Sequence, residues 1–223
     1  SNNTALTLLY CYGSSSTSTY GVTNQITALD VSNNTALSSL YCYRNQLTAL
    51  DVSNNTALTT LNCYGSSSTS TYGVTNQITA LDVSNNTALT YLSCAYNQLT
   101  TLDVSNNTAL TSLTCYSNQL TALDVSNNTA LTYLNCDGSH PNSTTGVTNQ
   151  ITALDVSNNT ALTSLSCYYN QLTALDVSNN TALTHLYCYG SSSNSTYGVT
   201  NQITALDVSN NTALTSLSCS YQP

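Results

Sequence analysis

Apolar residues return along this chain in a six-position phrase, Leu-x-x-Leu-x-Cys, of which residues 37–42 are one copy. Successive copies lie either 21 or 31 residues apart, and no other spacing occurs. A fixed period with apolar residues at one phase indicates a supersecondary unit that buries its apolar face by stacking on its copies. The pattern therefore predicts a solenoid. Its turns are marked by Cys11, Cys42, Cys63, Cys94, Cys115, Cys136, Cys167, Cys188 and Cys219.

Each turn contains two apolar phrases of different character. In the first, Leu40 and Cys42 alternate with Tyr41 and Tyr43, and this period of two predicts a strand with leucine and cysteine pointing inward. The second phrase, Leu-Thr-Ala-Leu-Asp-Val-Ser over residues 47–53, carries no helical period. We therefore expect a front wall of parallel strands and a back wall of short strands or irregular turns.

The run Leu37-x-x-Leu40-x-Cys42-x-x-Asn45-x-Leu47 resembles the leucine-rich repeat consensus LxxLxLxxNxL, with cysteine at the third apolar place. The 21-residue unit is similar to bacterial surface versions of that family, including internalin-like ones. The resemblance implies an all-β or β-rich, right-handed coil of about nine turns. It also implies an asparagine ladder at the corner after each strand, formed by Asn24, Asn45, Asn76, Asn97, Asn118, Asn149, Asn170 and Asn201.

The repeat runs through residues 1–223 without a polar linker, which predicts a single domain. Four turns are longer by ten residues, and the additional residues always lie between the cysteine phrase and the ladder asparagine. Inserts at one phase project from one edge of a solenoid, where they commonly carry function, although a solvated spacer loop is the alternative. The inserts cover residues 13–23, 65–75, 138–148 and 190–200.

Charge is scarce, and this excludes some classes of partner. Only 4% of residues are charged, the formal net charge is −8, and Arg44 is the one Lys or Arg in the chain. Such a chain cannot neutralise phosphates, so we expect no nucleic acid partner. No run of 18 apolar residues exists, so we expect no membrane span. The family resemblance implies an extracellular or cell-surface location.

The cysteines take the place of an inward leucine, and a buried free cysteine behaves as a small hydrophobe. Side chains stacked in one column have poor torsions for a disulfide, so we expect a dry column of thiols. No Cys-x-x-Cys pair occurs, and His140 and His185 fall at unrelated positions, which argues against zinc. The sequence also contains no catalytic motif or phosphate-binding loop, so we expect no enzyme activity and no cofactor.

A column of aspartates is expected to face outward on the back wall. Neighbouring carboxylates could recruit Ca²⁺, but each turn supplies only one of the several oxygen ligands that Ca²⁺ requires. Hydrogen bonds to nearby backbone amides or hydroxyls are the favoured alternative. The candidates are Asp30, Asp51, Asp82, Asp103, Asp124, Asp155, Asp176 and Asp207.

Each Ser-Asn-Asn-Thr corner contains an N-glycosylation sequon, and two inserts contain another. The same residues also suit a polar corner, and glycans one turn apart would crowd at about 4.8 Å. The possible acceptors are Asn33, Asn54, Asn85, Asn106, Asn127, Asn158, Asn179, Asn210 and, in the inserts, Asn142 and Asn194.

The predicted front wall is rich in tyrosine, which offers a large contact area with little loss of entropy. A ladder of rings that pack only on one another is the alternative to a face that binds glycan or protein. The tyrosines concerned are Tyr10, Tyr12, Tyr41, Tyr43, Tyr64, Tyr91, Tyr116, Tyr133, Tyr168, Tyr187 and Tyr189.

Three functions fit this pattern. The first is a non-enzymatic extracellular structural protein that self-associates end to end as a filament. This prediction rests on the terminal repeats, neither of which resembles a capping unit. Removal of the caps is the alternative explanation for their absence. The second is a surface adhesin or recognition module that binds through its tyrosines. The third is an ice-binding protein, suggested by regularly spaced hydroxyls at Thr27, Thr48, Thr79, Thr100 and Thr121.

Overall fold

The computed structural model describes residues 3–13, 24–65, 75–138, 148–190 and 200–220. Within them, nine three-residue strands form one parallel sheet in chain order. The strands are β1 Leu8–Tyr10, β2 Ser39–Tyr41, β3 Thr60–Asn62, β4 Tyr91–Ser93, β5 Ser112–Thr114, β6 Tyr133–Asn135, β7 Ser164–Ser166, β8 His185–Tyr187 and β9 Ser216–Ser218.

The register of the sheet is the same at every step. Leu40 pairs with Leu61 across a 21-residue turn, and Leu61 pairs with Leu92 across a 31-residue turn. The ten additional residues therefore leave the strand pairing unchanged. The predicted β-rich leucine-rich repeat solenoid, with its parallel sheet on the front wall, is confirmed.

Two walls of apolar side chains enclose the core. In the second turn, Leu40 and Cys42 come from the front wall and Leu47 and Val52 from the back wall, and all four are fully buried. Burial of one such leucine contributes roughly 1.5 to 3 kcal/mol, so the repetition of this set in each turn supplies the main stabilising term. The buried residues form one cluster that extends along the stack of turns.

The described part of the back wall contains bends and turns but no strand. In one typical corner, the N–H of Asn55 donates to the carbonyl of Val52 at 2.9 Å, and the N–H of Leu58 donates to the carbonyl of Asn55 at 3.0 Å. Of the two structures expected for this wall, irregular turns are the one adopted.

The cysteines lie inside the solenoid, as their phase predicts. All nine are free thiols; those from Cys42 to Cys188 are buried, whereas Cys11 is half-buried and Cys219 is exposed. Burial raises the pKa of the Cys94 thiol to about 12, so this thiol stays protonated and apolar at neutral pH.

The asparagines expected to form a ladder satisfy backbone groups of two adjacent turns. The Nδ2 of Asn45 donates to the carbonyls of Cys11 at 2.8 Å and Cys42 at 3.0 Å, while its Oδ1 accepts from the N–H of Ile26 at 3.2 Å. Asn76 repeats the pattern one turn later. The remaining positions lie in the same corner: Asn24, Asn97, Asn118, Asn149, Asn170 and Asn201.

A second asparagine ladder, which the sequence analysis missed, lies at the opposite corner. The Nδ2 of Asn107 donates to the carbonyls of Val83 and Asn86, both at 2.9 Å, and the side chain is fully buried. These asparagines are the second in each Ser-Asn-Asn-Thr corner. They are Asn34, Asn55, Asn86, Asn107, Asn128, Asn159, Asn180 and Asn211.

The residue two places after each cysteine has a tight backbone environment. In 21-residue turns it adopts a positive φ, for example 53° at Tyr96 and 55° at Tyr169. In 31-residue turns the same place holds glycine, and a Cβ at Gly65 would overlap the carbonyl oxygen of Tyr96. This close approach explains why the inserts begin with glycine.

Candidate functional site

The outward side chains of the strands, together with the residue after each cysteine, form the surface that we call the front wall. The predicted tyrosines occupy three columns of it. The first strand position holds Tyr91 and Tyr133, and the third holds Tyr10, Tyr41 and Tyr187. The position after cysteine, here called the tyrosine column, holds Tyr12, Tyr43, Tyr64, Tyr116, Tyr168 and Tyr189.

Rings in the tyrosine column stack along the solenoid axis. The centroids of Tyr12 and Tyr43 are 4.5 Å apart with planes inclined by 7°, and Tyr43 and Tyr64 follow at 4.8 Å and 10°. Tyr168 and Tyr189 stack at 4.5 Å and 9°. The rings therefore support one another, as in the self-packing alternative, yet the front wall still presents aromatic surface to solvent.

Aromatic exposure is greatest at particular places on the front wall. Tyr10 is 59% exposed, Tyr12 is 42% exposed and Tyr133 is 38% exposed. Hydroxyl and amide side chains lie between these rings, for example Ser112 in β5 and Asn135 in β6. A surface of rings and small polar groups is typical of binding faces.

Arg44 shows how a cation interacts with this surface. Its guanidinium carbon lies 5.4 Å from the centroid of the Tyr64 ring, within the range of a cation–π contact. The residue adopts a φ of 55°, which places it beside the tyrosine column. The sequence analysis noted this arginine only for its charge.

Between Tyr12 and Tyr189, two turns hold a smaller side chain in place of the ring, and they do so with different results. At Ala95, the next residue is Tyr96, whose ring packs edge-on against Tyr116 at 4.9 Å. At Asp137, the next residue is Gly138, which has no side chain to offer. At Ala95 the adjacent Tyr96 therefore supplies an aromatic ring, whereas at Asp137 the column presents a carboxyl.

Asp137 is a buried carboxyl on the front wall, with only 1% of its surface exposed. Its Oδ1 accepts from the hydroxyl of Ser166 at 2.7 Å and from the N–H of Tyr168 at 3.1 Å. Its Oδ2 has no hydrogen-bond partner. Burial raises the pKa of Asp137 to about 7, and the hydrogen bonds from Ser166 and Tyr168 oppose that shift.

Asp137 was not predicted as a site residue, because it lies outside the regular column of back-wall aspartates. The available signal was phase: this residue directly follows a cysteine, where six other turns have tyrosine. A charged group at a position that otherwise holds stacked rings is a departure from the repeat, and buried carboxyls concentrate at functional sites.

A depression of about 650 Å³ opens on the front wall around Asp137. Tyrosines form much of its surface, and hydroxyl and amide groups of β6, β7 and β9 also line it. His185 lies at the same depression, where its Nδ1 is 2.9 Å from the Thr184 hydroxyl oxygen. The tyrosines concerned are Tyr133, Tyr168, Tyr187 and Tyr189.

The back-wall aspartates are engaged within their own turns. The Oδ1 of Asp103 accepts from the N–H of Ser105 at 2.9 Å, and this bond together with the Ser105 hydroxyl lowers the pKa of the carboxyl. Within the described ranges, no three His, Cys, Asp or Glu side chains come together as metal ligands. The equivalent carboxyls are Asp30, Asp51, Asp82, Asp124, Asp155, Asp176 and Asp207.

The candidate glycosylation sites of the corners are exposed. Asn106 donates its Nδ2 to the carbonyl of Ser84 in the preceding turn, but the bond is long, at 3.3 Å. The same contact recurs at Asn54, Asn85, Asn127, Asn158, Asn179 and Asn210, and Asn33 is likewise exposed. Asn142, Asn194, His140 and most of each insert lie outside the described residues.

Comparison with known proteins identifies similar structures. No family model matches the chain, and no curated protein matches it. The functional domain of InlJ from Listeria monocytogenes, which includes a cysteine ladder, is 42% identical over 99% of this chain, with a TM-score of 0.79. An internalin, InlF, from the same species is 25% identical over 91% of the chain, with a TM-score of 0.68.

A leucine-rich repeat protein of Leptospira interrogans, 19% identical over 82% of the chain with a TM-score of 0.53, shares the fold. The present chain spans 40% of the InlJ structure, 54% of the InlF structure and 49% of the Leptospira structure. The described residues include no helix capable of crossing a membrane.

Proposed function

This chain is an internalin-like leucine-rich repeat protein, and from that premise we propose that it is a non-enzymatic recognition module of the cell surface or extracellular space. Its front wall binds a protein ligand. The observation that carries this proposal is the aromatic surface of the front wall, where partly exposed rings alternate with hydroxyl and amide groups.

The stacked tyrosines suit binding because their positions are already fixed. Tyr168 and Tyr189 are held face to face at 4.5 Å, so little side-chain freedom is lost when a ligand covers them. Tyrosine also combines a broad apolar ring with a hydroxyl that forms hydrogen bonds at the edge of an interface. The front wall therefore offers a preorganised contact surface.

The charge of the chain narrows the choice of ligand. A formal net charge of −8, most of it on the aspartates of the back wall, repels polyanions and attracts basic proteins to the molecule as a whole. A neutral or basic protein face is therefore the favoured partner, and a neutral glycan, which also packs on tyrosine rings, is the competing one.

The test compares binding of the wild-type protein and a front-wall double variant, Tyr133→Ser with Tyr187→Ser, to protein and glycan arrays. Serine already occupies the first strand position at Ser164 and the third at Ser218, so the repeat accepts it at both places. Circular dichroism checks the fold of each variant. The matched control is Thr100→Ser with Thr121→Ser on the exposed back wall.

We expect the double variant to lose protein binding at least about tenfold while the back-wall control keeps it. Binding that survives the front-wall substitutions, or binding confined to the glycan array, would contradict the proposal. Retained binding would identify another surface, and glycan-only binding would identify another class of ligand.

End-to-end stacking of copies is a second candidate. The end strands β1 and β9 leave Leu8 and Leu217 each 43% exposed. A further turn of a longer chain and a second copy would cover these leucines equally well, so a filament needs a direct test. Electron microscopy at neutral pH and sedimentation of a Leu217→Asp variant provide it: filaments that disappear with the substitution support the idea, and monomers of the wild type oppose it.

Ice binding stays a prediction based on the threonine positions of the back wall. Thr48 and Thr79 are exposed there, and the carboxylates of Asp51 and Asp82 lie close in sequence. A thermal hysteresis measurement tests it directly, and its absence at high protein concentration would remove this candidate.

A further inference from the structure

We propose that the depression around Asp137 is a subsite for a cationic side chain of the ligand, an arginine or a lysine. This inference rests on the proposed function, because it assigns one contact within the binding face described above. The feature that carries it is the juxtaposition of a buried carboxyl oxygen that has no partner with the flat rings of the tyrosine column.

The depression includes the position at which one ring is missing from the column. The turn before Asp137 contributes Tyr116 and the turn after it contributes Tyr168, so a tyrosine at this position would continue the column between them. Beside Ala95, the ring of the next residue, Tyr96, packs against Tyr116. Asp137 is followed by Gly138, which supplies no ring. The depression is therefore lined at this position by a carboxyl in place of a ring.

The carboxyl itself is incompletely satisfied. Ser166 and the backbone N–H of Tyr168 both donate to Oδ1, which leaves Oδ2 as the oxygen with no donor. A buried polar atom without a partner carries a desolvation cost, and a charged donor is the strongest way to offset it. An ammonium or guanidinium group meets this requirement, whereas a neutral hydroxyl meets it less well.

The rings beside Asp137 suit the same cation. Arg44 already shows, four turns away, that a guanidinium packs over a ring of this column, at 5.4 Å from the Tyr64 centroid. That arginine is the only Lys or Arg in the chain, so a cation at Asp137 has to come from a partner. Tyr168 and Tyr189 supply the aromatic faces at the depression.

The phenols and thiols around Asp137 carry no opposing charge, although a side-chain hydrogen bond from Tyr168 lowers the pKa of the carboxyl. Desolvation raises the pKa of the Tyr116 and Tyr168 phenols and of the buried Cys136 thiol beside it, so all of these are neutral at neutral pH. Tyr189 and the thiols of Cys115 and Cys167 are shifted in the same direction. His185 also lines the depression.

The experiment is an NMR titration of the folded protein at about pH 8, where the Asp137 carboxylate is favoured. The probes are N-acetyl-argininamide, N-acetyl-lysinamide and the uncharged analogue N-acetyl-citrullinamide, with N-acetylglucosamine as the sugar probe. The amide signals of Ser166 and Tyr168 report on the site, because their residues contact the carboxyl of Asp137.

Three variants accompany the titration. Asp137→Asn keeps the shape and removes the charge, and Asp137→Tyr restores the residue found at this place in most turns and fills the depression. Asp124→Asn removes one exposed back-wall charge and is the matched control for net charge.

We expect both cationic probes to shift the Ser166 and Tyr168 signals and the citrulline analogue to bind at least about tenfold more weakly. Asp137→Asn and Asp137→Tyr should each abolish the preference for the cationic probes over the citrulline analogue, while Asp124→Asn should keep this preference. Equal binding of the citrulline analogue, no response to any probe, or equal loss in Asp124→Asn would overturn the inference. A macromolecular ligand bound by the front wall but unaffected by Asp137→Asn would also overturn it, and would leave the proposed function standing.

Discussion

Tyr168 donates its backbone N–H to Oδ1 of Asp137 at 3.1 Å, so a carboxyl in one turn is held by the main chain of the next. This bond joins two turns at the point where the tyrosine column is interrupted. The carboxyl is nevertheless 99% removed from solvent and retains one oxygen without a partner. Asp137 should therefore influence both the stability of the solenoid and its recognition of ligands.

The first prediction concerns the pH dependence of stability. The pKa of Asp137 is about 7 in the folded protein and about 3.9 in the unfolded chain, so between these values the folded state keeps a proton that the unfolded state has released. Stability should therefore fall as the pH rises from about 4 to about 7, by at most about 1.4 kcal/mol per pH unit, and then level off. Urea unfolding followed by circular dichroism measures this decline.

Asp137→Asn should flatten that decline and make the protein more stable than the wild type above about pH 7, because the amide carries no charge to bury. The control is Asp124→Asn, which changes an exposed back-wall carboxyl whose pKa is lowered by Ser126. Its contribution is lost only as the pH falls below about 4, so the control should keep the wild-type decline. An unchanged profile in Asp137→Asn would show that this carboxyl is not the titrating group.

The second prediction concerns the unexpected asparagine ladder. Asn107→Ala should lower the free energy of unfolding by about 2 kcal/mol, because two buried hydrogen bonds to Val83 and Asn86 are lost. Its neighbour provides a matched control: Asn106 is exposed and makes one long bond of 3.3 Å. Asn106→Ala should change stability by less than about 0.5 kcal/mol in urea unfolding. Similar costs at the two positions would contradict the structural assignment.

The contrast between Asn106 and Asn107 shows what the sequence could predict and what it could not. Period and phase were sufficient for the strands, the inward leucines and the thiols, because alternation fixes which side chains face the core. The two adjacent asparagines are equally polar and equally repetitive, so composition does not distinguish the buried one. The difference arises from the corner, where Asn107 alone reaches two carbonyls of the preceding turn.

Asp137 was unpredictable for a different reason. Its neighbours across the sheet, Tyr116 and Tyr168, lie 21 and 31 residues away in the sequence, and only the alignment of turns in space brings them beside it. The sequence alone also does not show that Oδ1 is occupied and Oδ2 is not. The candidate site is thus a property of several turns together, whereas the fold can be recognised from the repeated unit.

The third prediction concerns the glycine that begins an insert. Gly65→Ala should destabilise the protein by more than about 1 kcal/mol, because the new Cβ would overlap the carbonyl oxygen of Tyr96 in the next turn. Thr48→Ala, at an exposed back-wall position, should have little effect and serves as the control. Thermal unfolding compares the two. If Gly65→Ala left the stability unchanged, the two turns would have to move apart easily at this corner.

The last prediction concerns the cysteine column, which contains its own control. Cys115 is fully buried and burial raises its pKa well above the ordinary value, whereas Cys219 is exposed. Iodoacetamide should therefore modify Cys219 in the folded protein and leave Cys115 unmodified until urea is added, because only an accessible thiolate reacts. Mass spectrometry of chymotryptic peptides locates the label.

Substitution should follow the same division between the two thiols. Cys115→Ser places a hydroxyl without a designed partner among leucines and should cost about 1 to 3 kcal/mol, while Cys219→Ser should be nearly neutral. Cys115→Ala separates the cost of lost volume from the cost of a buried hydroxyl, because alanine removes volume without adding a polar group. It should therefore cost less than serine. If the serine variant were as stable as the alanine variant, the hydroxyl would have to be hydrated inside the column. That result would contradict a continuous apolar core.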